Sequence, residues 1–467
     1  MKKIKKRSKK IIKAHELQEM NLYVAGVDIG SEEHFIAVSP KLADKFVRSF
    51  ATFTSDLKTA IKWLKELGIT SVAMESTGVY WIPFFEMLDA EGFEVLLVNA
   101  QHAKNVPGRK SDVLDCQWIQ KLHAYGLLRG SFRPSNEICI LRGFMRQRET
   151  LIKSISQQKL RMQKALTQMN ILLHNVISEV TGDLGLKIIQ GIIAGNHDPK
   201  SLASLKTEKY KSSKETIEKA LEGNYRQEHI FSLKQCFDSY VFLQEQLKEC
   251  DVEVEKIMRD ITLKTKDNIV KTATHNSKAL KPKKRRKNEL FFDPVDYLRK
   301  ILGIDLSNIP GLDTNSILKL VSEIGTDISK WKSSKHFTSW LGLSSVAKIS
   351  GGEVLSSRTQ RNPSRAAKIL RLAAFAAQRT QTAIGAFYRR QRARLGAPAA
   401  ITATARKIAV VIYEMLSRKV EFKDLGSEYY EQKYKARLVR RLEKTAMSLG
   451  YSLIQNSDII CTDALGG

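Results

Sequence analysis

The sequence has few cysteines and no long apolar run. Its five cysteines form no C-x-x-C pair and have unrelated spacings, so they indicate neither a disulfide framework nor a zinc knuckle and suit a reducing compartment. No stretch is long and apolar enough to span a bilayer, and the N-terminal Lys2-Lys3-Ile4-Lys5-Lys6-Arg7 lacks the apolar core of a secretory signal. We therefore expect a soluble intracellular protein.

Acidic residues are scarce relative to basic ones. The 467 residues include 49 Asp and Glu against 77 Lys and Arg, which gives a formal net charge of +28. Such an excess predicts a polyanionic partner, DNA or RNA, and argues against a small-molecule kinase. The length predicts about two to four domains, because one core cannot grow to this size.

The N-terminal part alternates between β-prone runs and amphipathic helices. Strands are predicted first at 22–28, 34–38 and 45–51, with short polar joints that are typical of an antiparallel meander. A helix with Ser55 as its cap follows at 55–67. The later elements are a strand at 71–74, a helix at 80–91, a strand at 93–98 and a helix at 111–126. This order predicts an α/β domain with an RNase H-like fold.

Four acidic residues at element ends form a candidate metal site. Asp28 ends the first strand and Glu75 follows the fourth, and these strands are neighbours in the predicted fold. Asp112 and Asp115 are three residues apart on a helix and therefore share one face. Two carboxylates about 4 Å apart repel by about 4 kcal/mol at an effective dielectric of about 20. A divalent cation is therefore expected, and hard oxygen ligands favour Mg²⁺ or Mn²⁺.

Other roles remain open for these acids at this stage. Glu75 is also suited to capping the next helix, and the two aspartates to pairing with neighbouring basic residues. The basic residues that we expect to contact nucleic acid are Lys104, Arg109, Lys110, Arg358, Arg361 and Arg365.

Long helices are predicted after the α/β domain. Two heptad seams, at 151–176 and 230–261, predict coiled-coil arms that either fold on each other as a hairpin or join protomers. The expected organisation is a basic arm at 1–20, the α/β domain at 21–135, the helical region at 136–270 with an insertion at 182–223, a basic linker at 271–295, a mostly helical C-terminal domain at 296–422 and a charged tail at 423–467.

Two turns in the C-terminal domain have a possible chemical role. Ile309-Pro310-Gly311-Leu312, before a helix at 316–324, resembles half of a helix-hairpin-helix whose backbone N–H groups meet phosphate, although helical packing explains it equally well. Ser350 precedes Gly351 and Gly352, so its hydroxyl is expected in an exposed turn. From the residues alone, both an ordinary turn and a nucleophile remain open.

Several ordered motifs resemble the DEDD transposases of the insertion-sequence-110 family, over about residues 23–416. In the N-terminal part they are Gly26-Val27-Asp28-Ile29-Gly30, Met74-Glu75-Ser76-Thr77-Gly78-Val79-Tyr80-Trp81 and Gly108-Arg109-Lys110-Ser111-Asp112-Val113-Leu114-Asp115-Cys116-Gln117-Trp118. Further on they are Glu228-His229, Trp340-Leu341-Gly342-Leu343 and Ser350-Gly351-Gly352.

The resemblance implies a RuvC-like nuclease domain and a C-terminal transposase domain. It places the acidic quartet on Asp28, Glu75, Asp112 and Asp115, and a nucleophile toward DNA on Ser350. In the family the two parts form a composite site across protomers, and a bridge RNA pairs with donor and target DNA. The resemblance thus implies a dimer or tetramer in the cytoplasm, associated with the nucleoid.

Two positions depart from the family pattern. Glu353 stands where Lys is common, which removes a cation near the scissile phosphate. Ser364-Arg365-Ala366-Ala367, preceded by Pro363, stands where the family has Asn-Arg-Ala-Ala. These departures concern local DNA contacts and leave the proposed catalytic residues in place.

Three other functions compete with RNA-guided recombination. A RuvC-like nuclease or junction resolvase would cut DNA with metal-activated water and use Ser350 only structurally. An actin-like or sugar-kinase-like ATPase would explain the loop Val27-Asp28-Ile29-Gly30-Ser31, but it requires a second phosphate loop that the later half lacks. An RNA-binding scaffold would need none of the acids for its function.

Overall fold

The computed structural model describes residues 19–76, 78–98, 112–266, 288–345, 347–356, 358–359 and 364–454. The chain divides into two compact units, Met1–Arg133 and Pro134–Gly467. None of the helices in the described ranges is long and apolar enough to cross a membrane.

The N-terminal unit is mixed α/β. Its elements in chain order are β1 (Val24–Ile29), β2 (Glu33–Ala37), β3 (Val47–Ala51), α1 (Thr54–Glu66), β4 (Ser71–Glu75), α2 (Trp81–Ala90), β5 (Glu94–Val98) and α3 (Asp112–Ala124). Each lies within two residues of its predicted bounds. The predicted order of strands and helices is confirmed, and it is consistent with an RNase H-like fold.

These strands form one five-stranded sheet in the order β3-β2-β1-β4-β5. β1 is antiparallel to β2 and parallel to β4, and β4 is parallel to β5. The neighbouring positions of β1 and β4 are those predicted. Both strands are almost wholly buried, as expected for central strands covered on both faces.

The two faces of the sheet pack against different helices. On one face, Val27 and Met74 join a core with side chains of α1 and α2 such as Leu64 and Leu88. On the other face, Ala73 and Val98 pack against Ile119 of α3. Alternating side chains of the same strands thus build two separate apolar layers.

Ser55 does not cap α1, so that prediction is wrong. The helix begins one residue earlier, at Thr54, and its N-cap residue is Phe53. No side chain accepts a hydrogen bond at this cap. Ser55 is the second residue of the helix and lies inside its first turn, so its side chain does not occupy the capping position.

The C-terminal unit is mostly helical and begins with two long helices that pack along each other, α4 (Asn136–Gln168) and α9 (Gln227–Lys266). Within one chain, the two long helices therefore pack on each other as a hairpin. Between the long helices lie α5 (Leu173–Val176), α6 (Asp183–Ile193), α7 (Pro199–Ser204) and α8 (Lys214–Leu221).

The two predicted seams differ in extent. In α9 the seam is buried over most of its length, at Leu233, Phe237, Tyr240, Leu247, Asp251, Val254, Met258 and Ile261. The first seam is shorter than predicted, because α4 ends at Gln168 and Asn170 adopts a left-handed conformation with φ of 58°. Such a residue after the last turn commonly ends a helix.

The rest of this unit comprises α10 (Val295–Leu302), α11 (Thr314–Ile324), α12 (Ser334–Trp340), β6 (Lys348–Ser350), β7 (Glu353–Ser356), α13 (Arg365–Ala377), α14 (Ala383–Leu395), α15 (Ala397–Arg418) and α16 (Gly426–Ser448). Gly311, before α11, has φ of 88°, and a Cβ there would lie 2.2 Å from Ala373 O of α13. Close packing therefore accounts for this glycine without a phosphate.

Candidate active site

The two acids predicted at strand ends lie side by side. β1 and β4 pair in parallel with Val27 opposite Met74. Asp28 and Glu75 are the next residues of each strand, so their Cα atoms are separated by about 4.8 Å, the spacing of neighbouring strands. Because side chains alternate across a strand, both acids project from the face that carries Gly26. Asp28 is half-buried and Glu75 is 6% exposed.

Gly26 allows α3 to pack directly on this face. A Cβ on Gly26 would lie 2.1 Å from Gln120 N and 2.5 Å from Cys116 O, both backbone atoms of α3. No side chain fits between a strand and a helix backbone at these distances. The glycine therefore sets how closely α3 approaches the acids of the sheet.

Two contacts fix the direction in which α3 crosses the sheet. Ser71 Oγ, at the start of β4, lies 2.9 Å from His123 Nε2 near the end of α3, whereas Gly26 contacts the middle of the helix. α3 thus runs antiparallel to β1 and β4, and its first turn lies at the carboxyl ends of these strands. That turn carries Asp112 and Asp115. The strand ends with Asp28 and Glu75 and the first turn of α3 therefore lie at the same end of the sheet.

The thiol of Cys116 responds to the charge at this site. Burial, followed by the negative charges of Asp28 and Asp115, raises the pKa of the Cys116 thiol to about 12. The thiol is therefore protonated at neutral pH, and its Sγ donates to Val113 O at 3.1 Å. Since only a thiolate is a good nucleophile or metal ligand, Cys116 is not a candidate for either role, and the carboxylates remain the candidate ligands.

The donor set suits a hard divalent cation. Asp28, Glu75 and Asp115 come from three elements and offer only carboxylate oxygens, which Mg²⁺ and Mn²⁺ prefer. Within the described side chains, no group of three or more His, Cys, Asp or Glu is already arranged to hold a metal ion. The side chain of Asp112 is not among those described. The residues therefore fit such a cation by the chemistry of their oxygen donors.

Ser350 ends β6 in a tight hairpin in the C-terminal unit. It is paired with Glu353 of β7, so that the loop consists of Gly351 and Gly352 alone. Their φ angles of 58° and 88° are those of a type I′ turn, which two glycines adopt without strain. Ser350 and Glu353 are both exposed and, as directly opposed residues, project to the same side of the hairpin. The serine hydroxyl is thus open to a ligand.

Comparison with known families matches both parts of the chain. A model of IS110 DEDD proteins, described as a transposase, matches residues 25–171, which include all four acids. A second model, described as the transposase IS116/IS110/IS902 family, matches residues 305–389, which include Ser350. The chain belongs to the IS110 family of transposases. It is therefore an enzyme that acts on DNA as a transposase or recombinase. A comparison with curated proteins gives no match.

The basic residues predicted to contact nucleic acid are only partly described in this transposase. Lys104, Arg109, Lys110 and Arg361 lie outside the described residues. Arg358 is exposed. Arg365 is also exposed, and it donates to Glu149 of α4 at 2.6 Å, so a phosphate would have to compete with this ion pair.

One of the departures from the family pattern has a local explanation. Ser364 is the N-cap of α13, and its Oγ accepts a hydrogen bond from Ala367 N at 3.3 Å. Ser and Asn are among the best N-cap residues, so the exchange of Asn for Ser preserves the start of this helix. The other departure, Glu353, is the residue directly opposite Ser350.

Gly26 and Cys116 are the site residues whose roles the sequence analysis missed. Both lie inside motifs whose acidic residues carry the predicted chemistry. A glycine in the middle of an apolar strand run was the available signal, because such a glycine often marks the close approach of another backbone.

We expect Gly26→Ala to separate α3 from the sheet. A methyl group would meet backbone atoms that cannot rotate away, so the variant should lose about 1 to 3 kcal/mol of stability. Hydrogen exchange of peptides from α3 should report faster exchange than in the native protein. Gly143→Ala is the matched control, since a Cβ there meets nothing within 4 Å and alanine favours the helix. Unchanged exchange in the Gly26 variant would contradict this packing.

Proposed function

We propose that this transposase cleaves and exchanges DNA strands under the guidance of an element-encoded bridge RNA, with Ser350 as nucleophile. The observation that supports this most strongly is the convergence of Asp28 and Glu75 on one sheet face beneath the first turn of α3. Neighbouring carboxylates repel each other and a bound divalent cation relieves this repulsion, so a metal-binding role accounts for their placement.

Asp28, Glu75, Asp112 and Asp115 are the residues that would hold Mg²⁺, or Mn²⁺ in its place. When bound, such ions neutralise the charge that develops on the oxygens of a phosphodiester during displacement. The chain's own contribution is positioning: the parallel pairing of β1 with β4 fixes two carboxylates, and Gly26 fixes the approach of α3. Both contributions come from strands and a helix, and sites built on such elements are more precise than sites built on loops.

Ser350 would attack the phosphorus of the scissile phosphodiester through its Oγ. A bond between phosphorus and Oγ forms while one P–O bond of the DNA strand breaks, and the leaving oxygen takes up a proton to become a hydroxyl. The serine proton passes to a base or to solvent. Because the phosphodiester energy is kept in the serine–DNA link, the reverse attack by a DNA hydroxyl rejoins strands without ATP.

A polyanionic assembly agrees with the charge of the chain. A net charge of +28 suits simultaneous contact with donor DNA, target DNA and RNA. We propose that the working form is a dimer or tetramer, located with the nucleoid in the cytoplasm. Affinity for DNA should fall steeply with salt, since each neutralised phosphate releases counterions.

The proposed nucleophile can be tested with purified protein, element-derived RNA, Mg²⁺ and a suicide DNA substrate that traps cleaved intermediates. We expect a covalent protein–DNA adduct whose attachment maps to Ser350 by mass spectrometry, and no adduct with Ser350→Ala. Ser356→Ala, on the other strand of the same hairpin, is the matched control and should form the adduct. If Ser350→Ala still cuts DNA without an adduct, the enzyme is a nuclease that uses water.

A further inference from the structure

The last described helix, α16, has a surface that neither family match covers. It is 23 residues long and contains no buried residue. Its start is held by α14: Ala383 N and Gly426 N both donate to Asp424 Oδ1, and Ser427 N donates to Gln381 O. α16 is therefore attached at one end, while most of its side chains remain exposed.

A second set of contacts orients the first turns of α16. The Arg390 guanidinium of α14 forms an ion pair with Glu431, and its Cζ lies 3.3 Å from the ring centroid of Tyr434. Phe387 meets the Tyr430 ring edge-on, with the ring centroids 6.2 Å apart. Stacking of this kind is worth about 0.5 to 2 kcal/mol, so the helix is held in a defined rotation.

Five basic residues follow one side of this helix. The basic stripe consists of Lys433, Arg437, Arg440, Arg441 and Lys444, all of them exposed. At about 100° per residue these positions fall within about 100° of arc, and they extend over about 16 Å of helix. The acidic residues of α16 lie outside this arc, at Glu428, Glu431 and Glu443. Tyr434, Leu438 and Leu442 lie next to this arc, and one further exposed basic residue, Lys435, lies on the opposite side.

The spacing of the stripe is unfavourable for the helix alone. Lys433 and Arg437, Arg437 and Arg441, and Arg440 and Lys444 are each four residues apart, and like charges at this spacing destabilise a helix by about 0.2 to 0.5 kcal/mol per pair. A partner with regularly spaced negative charges would relieve all of these repulsions together. The phosphate backbone of a nucleic acid is such a partner.

We propose that the basic stripe of α16 binds the phosphodiester backbone of nucleic acid, as a contact surface separate from the acidic site and from Ser350. It requires only that the enzyme acts on nucleic acid, which its family membership establishes, and not the serine chemistry proposed above. Five arginine and lysine side chains over this length reach several successive phosphates, and they contact the backbone without reading its sequence.

The test replaces all five stripe residues by glutamine, which keeps the helix propensity and removes the charge. Fluorescence anisotropy of the full chain with a short duplex DNA, and separately with a hairpin RNA, gives affinity over a range of salt. For the probe that the stripe binds, we expect affinity at least about tenfold weaker at about 0.1 M salt and a log–log salt slope smaller by about 3 to 5. A weaker affinity for the DNA probe, for the RNA probe or for both supports the proposal and shows which nucleic acid the stripe binds.

A control variant removes the same charge elsewhere, at Lys200, Lys209, Lys211, Lys214 and Lys219, which are all exposed. It should change the slope much less, and circular dichroism should show equal helix content in both variants. Equal slopes for the stripe variant and the native chain would overturn the proposal. So would unchanged affinity with altered molecular mass, because α16 would then join protomers. The Ser350 adduct is measured in a separate assay, so a failure of the stripe proposal can be distinguished from a failure of the proposed serine chemistry.

Discussion

Replacing Asp28 by asparagine is expected to lower the rate of DNA strand cleavage about 100-fold or more. Loss of a residue that merely orients a metal ligand costs about 10- to 100-fold, and loss of a ligand should cost at least the upper end of that range. The exchange is isosteric, so the pairing of β1 with β4 and the packing of α3 should persist. Single-turnover cleavage of a labelled DNA substrate measures the effect.

The control for this prediction is Asp89→Asn, an exposed acid near the end of α2 in the same unit. It should cleave at the native rate. Asp28→Asn also removes one of two neighbouring negative charges, so the variant has less charge repulsion for a bound cation to relieve. Mg²⁺ should then raise the unfolding temperature of the native chain more than that of the variant. Native-rate cleavage by Asp28→Asn would remove this acid from the catalytic site.

The position of the two strand acids was predictable because it depends on local pattern and topology alone. An apolar run that ends in Asp28, and another that ends in Glu75, identify the strand ends. The order of elements makes β1 and β4 parallel neighbours. Since parallel neighbours end at the same edge, the two carboxylates had to meet. The exposed turn after Ser350 was predictable for a similar reason, as two consecutive glycines favour a type I′ hairpin.

Features that depend on packing between distant segments were not predictable from pattern. The apolar spacing that continues to Val176 gave no sign that Asn170 would end α4. Residues from 423 onward looked like a charged tail, because α16 has no buried face to produce a strong apolar pattern. Gly26 was conspicuous in a strand, but its partner, the backbone of α3, is about 90 residues away in the chain.

The seam of α9 contains one charged residue, Asp251, whose partner the sequence did not reveal. Arg148 of α4 donates to it through Nε at 2.5 Å and through Nη2 at 3.3 Å, and both side chains are at most 1% exposed. Asp251 Oδ2 also accepts from Phe291 N, while Arg148 Nη2 donates to Asn288 O. The pair therefore joins both long helices to the segment that precedes α10.

Asp251→Ala is expected to destabilise the C-terminal unit by about 3 to 5 kcal/mol, because it leaves the Arg148 charge buried without its partner. Replacing both residues, as Arg148→Met with Asp251→Leu, should recover most of this loss, since a well-packed apolar pair avoids the desolvation of two ions. Asp238→Ala, which breaks the exposed Lys234–Asp238 pair on the same helix, should cost less than about 0.5 kcal/mol. Denaturant unfolding of the four proteins measures these differences. A double variant no more stable than Asp251→Ala would mean that the lost links to Asn288 and Phe291, rather than the uncompensated charge, dominate the cost.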